Sequence, residues 1–188
     1  MDHNIQPKLS FKIEQVALCP ADPDKAIALL TKMGLGEWAR DHVKASGRVF
    51  GQGGTNEADL AFNYQGTRGF EGTLADGMHG DLRNIKPLEL EVLHYTDGDN
   101  WMKGDCGEEA RGFHRPCSVS HLGMHCDAKE LARWRGFFAA EGIREAQSVL
   151  TFSHTNPVIA GKRTYNYVIY DTREILGVDV KFIVRMEK

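Results

Sequence analysis

The sequence predicts an α+β fold in which two βαβββ modules pair into an open sheet cleft. Three observations predict it. A strand–helix–three-strand pattern occurs twice in 188 residues. Both helices stop at similar signals, Met33-Gly34-Leu35 in the first half and Glu141-Gly142-Ile143 in the second. The first and last strands of each half alternate apolar and polar residues, so each has one face of each kind. An internal repeat of this sort decides the fold class. One module buries only one face of its sheet, whereas two paired modules cover more core and leave a concave sheet face between them. A chain of this length can bury a full core.

The first module spans residues 11–98. Residues 11–18 read as a strand, with Val16 and Leu18 on one face and Ile13, Gln15 and Ala17 on the other. Pro20 ends it. Asp22 caps a helix whose first turn holds Pro23 and Asp24. Ala26, Ile27, Leu29, Leu30 and Met33 then recur at helical spacing until Gly34 stops the helix. Strands follow at 42–50, 58–64 and 88–95, the first two joined by a turn at Gly51, Gly53 and Gly54. Residues 65–87, rich in Gly and charge, read as a long loop carrying Phe70 and His79, either a surface loop or a lid.

Residues 99–117 connect the modules, and the pattern restarts in residues 118–186. A strand at 119–126 leads to Asp127, which caps a helix over 128–140. Leu131, Trp134, Phe137 and Phe138 form the apolar stripe of that helix, and Gly142 ends it. Strands follow at 146–153, 164–170 and 178–184. The two modules make one structural domain.

Composition narrows the function. Net charge is -3, and Lys and Arg are not grouped, so no nucleic-acid partner is expected. No apolar run approaches the ~18 residues of a membrane span. Residues 1–10 are polar without an apolar h-region, which leads to the expectation of a cytoplasmic protein. Cys19, Cys106, Cys117 and Cys126 form no C-x-x-C pair, so reduced thiols are expected, with a pair between Cys106 and Cys117 as the alternative.

The candidate chemistry lies on the polar strand faces. In Leu88-Glu89-Leu90-Glu91-Val92-Leu93 the polar face carries Glu89 and Glu91. In Val178-Asp179-Val180-Lys181-Phe182 it carries Asp179 and Lys181. The apolar faces suit packing under the helices, and the charged faces then point toward solvent or a wet cleft. Gln15 sits opposite Val16 and Leu18, and His121 and His125 share a face with Gly123. Symmetric pairing of the modules would bring Gln15, Glu91, His121 and Asp179 to one point. Two carboxylates, an amide oxygen and an imidazole suit one divalent metal that keeps positions open for water or substrate. Taken singly, each of the four also reads as an ordinary solvated or hydrogen-bonded strand residue.

At these residues the chain resembles the vicinal oxygen chelate superfamily, which includes glyoxalase I, extradiol dioxygenases, epimerases and antibiotic-resistance proteins such as those against bleomycin. The resemblance covers about residues 11–184. It rests on Glu14-Gln15-Val16-Ala17-Leu18 before the Pro-Asp helix start, Leu90-Glu91-Val92, Ser120-His121-Leu122-Gly123 and Val178-Asp179-Val180. It implies a glyoxalase-like fold with Gln15, Glu91, His121 and Asp179 as ligands of one divalent metal (Zn, Ni, Fe, Mn or Co). It further implies a lyase or isomerase acting on a small oxygen-chelating substrate through an enolate-type intermediate. The metal would stabilise the enolate, and the catalytic carboxylate, Glu91 or Asp179, would move the proton. Phe62, Tyr64 or Tyr167 would line the cleft. Two alternatives stand beside this. One is an extradiol-type iron dioxygenase, with His125 or His94 as a second imidazole. The other is a non-catalytic small-molecule-binding or resistance protein. The family's last ligand is usually Glu, and here it is Asp179. Cys19 and Cys117 stand where glyoxalase I often has basic residues for glutathione. Related folds often complete their clefts by pairing chains, so a homodimer stands open beside pairing within one chain.

Overall fold

Alternating strand residues and well-placed caps build the same element order twice. The computed structural model describes residues 9–63, 88–98, 118–157 and 159–187. The first module holds β1 (Gln15–Cys19), α1 (Pro23–Lys32), β2 (Ala39–Val49), β3 (Gln52–Asn63) and β4 (Glu89–Gly98). The second holds β5 (Ser118–His125), α2 (Ala128–Ala140), β6 (Glu145–Ser153), β7 (Arg163–Tyr170), a one-turn helix α3 (Arg173–Leu176) and β8 (Asp179–Glu187). Tyr64, the loop expected at 65–87 with Phe70 and His79, and the connection at 99–117 lie outside the described residues.

Both long helices start on the predicted caps. The Asp22 carboxylate accepts from the Lys25 amide at 3.0 Å, and the Asp127 carboxylate accepts from the Glu130 amide at 2.8 Å. Each cap satisfies one of the orphaned donors at a helix start. The chain leaves both helices through a left-handed glycine, Gly34 at φ 102° and Gly142 at φ 70°, a conformation that a Cβ would disfavour.

Each helix covers the apolar outer face of its own module. Ile27 of α1 packs on Ala61 and Val92, with Leu30 and Trp38 beside them. Leu131, Trp134 and Phe138 of α2 pack on Val168, Tyr170, Val180 and Phe182. The rings of Phe138 and Tyr170 stack with centroids 4.0 Å apart. The strand expected from residue 11 begins only at Gln15. Before it, Phe11 crosses to the second module and meets Trp134 and Phe182 edge-on.

The sheet differs from the expected open cleft. It closes into a barrel in the order β1-β4-β3-β2-β6-β7-β8-β5. Two seams join the modules. In one, β1 runs antiparallel to β5; in the other, β2 runs antiparallel to β6 from Val43↔Ser153 to Val49↔Gln147. The second seam turns the cleft into an interior, and it forms because pairing satisfies two rows of edge amides and carbonyls at once. Gly47 permits the approach, since a Cβ there would lie 2.2 Å from the Ser148 carbonyl oxygen. Within each module the first and last strands run parallel (β1 with β4, β5 with β8), and the remaining neighbours run antiparallel.

The cysteines correct one expectation. Cys19 is fully buried and disulfide-bonded, so it is not a reduced thiol. Its partner lies outside the described residues, and Cys126 is free. Spacing along the chain says nothing about a pairing made across it, which is why the lack of a C-x-x-C motif misled. Disulfides persist mainly in oxidising compartments. Among the described residues no helix is long and apolar enough to cross a membrane.

The bridge takes up two of the four cysteines. Alkylation of denatured, unreduced protein should therefore label two thiols, and four after reduction. Intact mass spectrometry reads the difference directly, and four labels without reductant would show that the bridge is absent.

Candidate functional site

The polar strand faces point into the barrel, where water cannot satisfy them, so they must pair with one another. Gln15, Glu91, His121 and Lys181 do so. All four are buried. The register places Gln15 against Gly123 and Ala17 against His121 across the β1–β5 seam. Gly123 is needed there, because a Cβ at that position would lie 2.8 Å from Gln15 Oε1 and 2.9 Å from Gln15 Cβ. The Gln15 side chain can thus lie over β5 and reach His121. The ladder slips between Ala17 and Leu18, a bulge that gives β5 one extra residue, Ser120, next to the imidazole.

The hydrogen bonds fix the protonation pattern. His121 Nε2 lies 2.9 Å from Gln15 Oε1 and 3.2 Å from Glu91 Oε2. Both are acceptors, so Nε2 carries the proton and shares it between them. His121 Nδ1 then accepts from the Ser120 hydroxyl at 3.1 Å. The amide nitrogen of Gln15 donates to Glu89. The Lys181 ammonium lies 3.3 Å from Glu91 Oε2 and 4.3 Å from the centroid of the Tyr167 ring. A neutral imidazole meets every bond in this set.

Burial and charge act on the two titratable partners in different ways. Burial, reinforced by the charge of Lys181, pushes the His121 imidazole down from 6.5 to about 4. Burial alone would raise Glu91. The charge of Lys181 and the His121 hydrogen bond outweigh it and bring Glu91 from 4.5 down to about 2. At neutral pH Glu91 is therefore a carboxylate and His121 a neutral imidazole.

Of the four expected metal ligands, the structure brings Gln15, Glu91 and His121 together. Asp179 neighbours His121 in the β5–β8 ladder, but its Oδ2 accepts from Arg173 Nε at 3.0 Å and Nη2 at 2.8 Å. These donors do not fit a four-ligand divalent centre. Glu91 Oε2 already accepts from the Lys181 ammonium, and Asp179 is clamped by the Arg173 guanidinium. Among the described residues no three or more His, Cys, Asp and Glu side chains gather as a cation site. Of the two candidate second histidines, His125 lines the barrel cavity and binds Glu14 at 3.2 Å, whereas His94 lines a groove on the outer surface.

Next to this cluster the barrel holds a partly open cavity of about 280 Å³, near the small end of ligand pockets at roughly 300–1,000 Å³. Gln15 and Glu89 form part of its wall, with Phe62, Tyr165, Tyr167 and Ile183 supplying apolar surface. A smaller space of about 20 Å³ lies beside Glu91 and Lys181, lined also by Asn56, Gln147 and Thr151. Several polar atoms on these walls have no protein partner: Asn56 Nδ2, Gln147 Oε1, Thr151 Oγ1 and Ser153 Oγ. Sequence reasoning missed them, although Gln147, Val149, Thr151 and Ser153 alternate along β6 as one inward face.

The fold and site define an α+β barrel of two βαβββ modules with a polar interior, an arrangement that resembles the glyoxalase-like fold. Among solved structures, the hypothetical protein BH1468 from Bacillus halodurans C-125 aligns with a TM-score of 0.49 at 10% identity, covering 94% of this chain and 96% of that one. Methylmalonyl-CoA epimerase from Mycobacterium tuberculosis aligns with a TM-score of 0.44 at 12% identity, covering 94% of this chain and 92% of the other. No protein-family model matches, and no curated protein matches. Strand order and register within this chain therefore carry the fold assignment.

Two expected outcomes follow from the charge pattern. Glu91→Gln leaves the Lys181 ammonium buried without its counter-ion, which costs about 3–5 kcal/mol. Adding Lys181→Met should recover most of that loss, and urea unfolding of the single and double variants measures both. The second concerns acid. The imidazole is depressed in the fold, so between 6.5 and about 4 the unfolded chain binds more protons, and stability falls as pH falls through that window. The depressed Glu91 contributes stability above 4.5 that is lost toward about 2. His121→Gln should flatten the upper part of the profile and leave the lower part, as read by unfolding midpoints across that pH range.

Proposed function

We propose that this chain binds a small, oxygen-bearing organic molecule inside its barrel, using protein groups alone. The observation that carries this reading is the pair of hydroxyls on β6, Thr151 Oγ1 and Ser153 Oγ. Both are buried without a protein partner, and both residues line the 280 Å³ cavity. A buried hydroxyl without a partner costs roughly 1–3 kcal/mol, which a ligand carbonyl or hydroxyl would offset. Phe62, Tyr165 and Tyr167 line the same cavity and supply apolar surface for the body of such a molecule.

Three activities compete: a metal-dependent lyase or isomerase, an iron-dependent ring-cleaving oxygenase and a non-catalytic binding protein. The first two need a divalent metal held by Gln15, Glu91, His121 and Asp179. Those residues are committed to Lys181, Arg173 and each other. That favours the binding or resistance-type reading.

The test is a thermal-shift screen of small aromatic diols and hydroxyketones, followed by calorimetry. At least one compound should bind with Kd below about 1 mM. Ser153→Ala and Thr151→Val should each weaken it about tenfold. Ile183→Trp, which fills the cavity, should abolish binding while the protein stays folded. Binding that survives Ile183→Trp, or no binding across the panel, overturns the proposal.

A further inference from the structure

We propose that Lys181 is the built-in cation of this site, standing at the symmetry counterpart of Glu91, so that one substitution, Lys181→Glu, converts the cluster into a divalent-metal site. The registers give the correspondence. Across the antiparallel β1–β5 seam, Gln15 faces Gly123 and Ala17 faces His121. The rotation that exchanges these two strands therefore exchanges Gln15 with His121 and Ala17 with Gly123. In the parallel ladders, Gln15 pairs with Glu89 and Ala17 with Glu91, while His121 pairs with Asp179 and Gly123 with Lys181. The same rotation thus exchanges Glu89 with Asp179, and Glu91 with Lys181. Gln15, His121, Glu91 and Lys181 are two symmetric pairs around one axis.

A strictly symmetric site would set two carboxylates face to face in a buried space. Two such anions cannot both stay ionised without a cation between them. Lys181 removes one anion and supplies the positive charge in the same step. Its ammonium sits 3.3 Å from Glu91 Oε2 and over the Tyr167 ring, and each contact favours a buried cation. Asp179, the counterpart of Glu89, is held by Arg173, so it does not compete for Lys181's place. The buried charge is balanced by a covalently attached cation, and a divalent ion entering beside Lys181 would meet like charge.

The inference concerns metal affinity alone and does not rest on the cavity's taking an organic ligand, so the two can fail separately. The 188-residue wild type, Lys181→Glu and Lys181→Glu/His121→Ala are dialysed against Co²⁺ without organic ligand, then read by elemental analysis and visible absorption. Wild type is expected to retain less than about a tenth of an equivalent, the Lys181→Glu variant one equivalent with a cobalt ligand-field band, and the double variant none. Stoichiometric Co²⁺ in wild type that His121→Ala removes would overturn the proposal, as would a folded Lys181→Glu variant that binds none. Should Lys181→Glu fail to fold by circular dichroism, Lys181→Gln decides. Loss of the ammonium alone should raise Co²⁺ affinity at least about tenfold, and unchanged affinity overturns the assignment.

Discussion

The interior of this barrel depends on the ion pair between Glu91 and Lys181. Each group is almost fully desolvated, and either one alone would be an uncompensated buried charge. Their pairing allows polar strand faces to turn inward and still close. Around it the other contacts fall into place: a neutral imidazole donating to Gln15 and Glu91, a serine hydroxyl donating to its far nitrogen, and the Gln15 amide donating to Glu89. Removing the ion pair at the centre would leave the rest of that chain of donors with nothing to orient it. A network with every member satisfied specifies one arrangement of the strands around it.

The duplicated element order was legible because its signals are local. Asp22 and Asp127 cap, Gly34 and Gly142 stop, and apolar residues alternate along the strands. Three of the four candidate residues were also legible, since Gln15, Glu91 and His121 lie on the inner faces of strands that the repeat sets together. The expected set paired Asp179 with Glu91 across the repeat. Setting Leu88-Glu89-Leu90-Glu91 against Val178-Asp179-Val180-Lys181 places Lys181, and not Asp179, at that position, and the ladder registers agree. A search for metal donors passes over a lysine, although its charge shapes the site most. The Cys19 bridge and the unpartnered hydroxyls of β6 depend on what lies across the barrel, and no local spacing reports that.

Barrel closure explains why the inner faces are buried when amphipathic strands suggested a wet cleft. The outer faces pack under α1 and α2 as the apolar alternation requires. The inner faces meet one another because β2 and β6 join along a seam that Gly47 lets form closely. What remains inside is a space with aromatic rings and hydroxyls on its wall and the Glu91–Lys181 ion pair beside it.

The two seams carry one more consequence. A sheet joined at both ends within a single chain presents no open strand edge among its described residues, so it offers no template on which another molecule could add a strand. Exchange of modules between two chains would require both seams to part first, and the cost of parting them sets a kinetic guard against entangled assemblies.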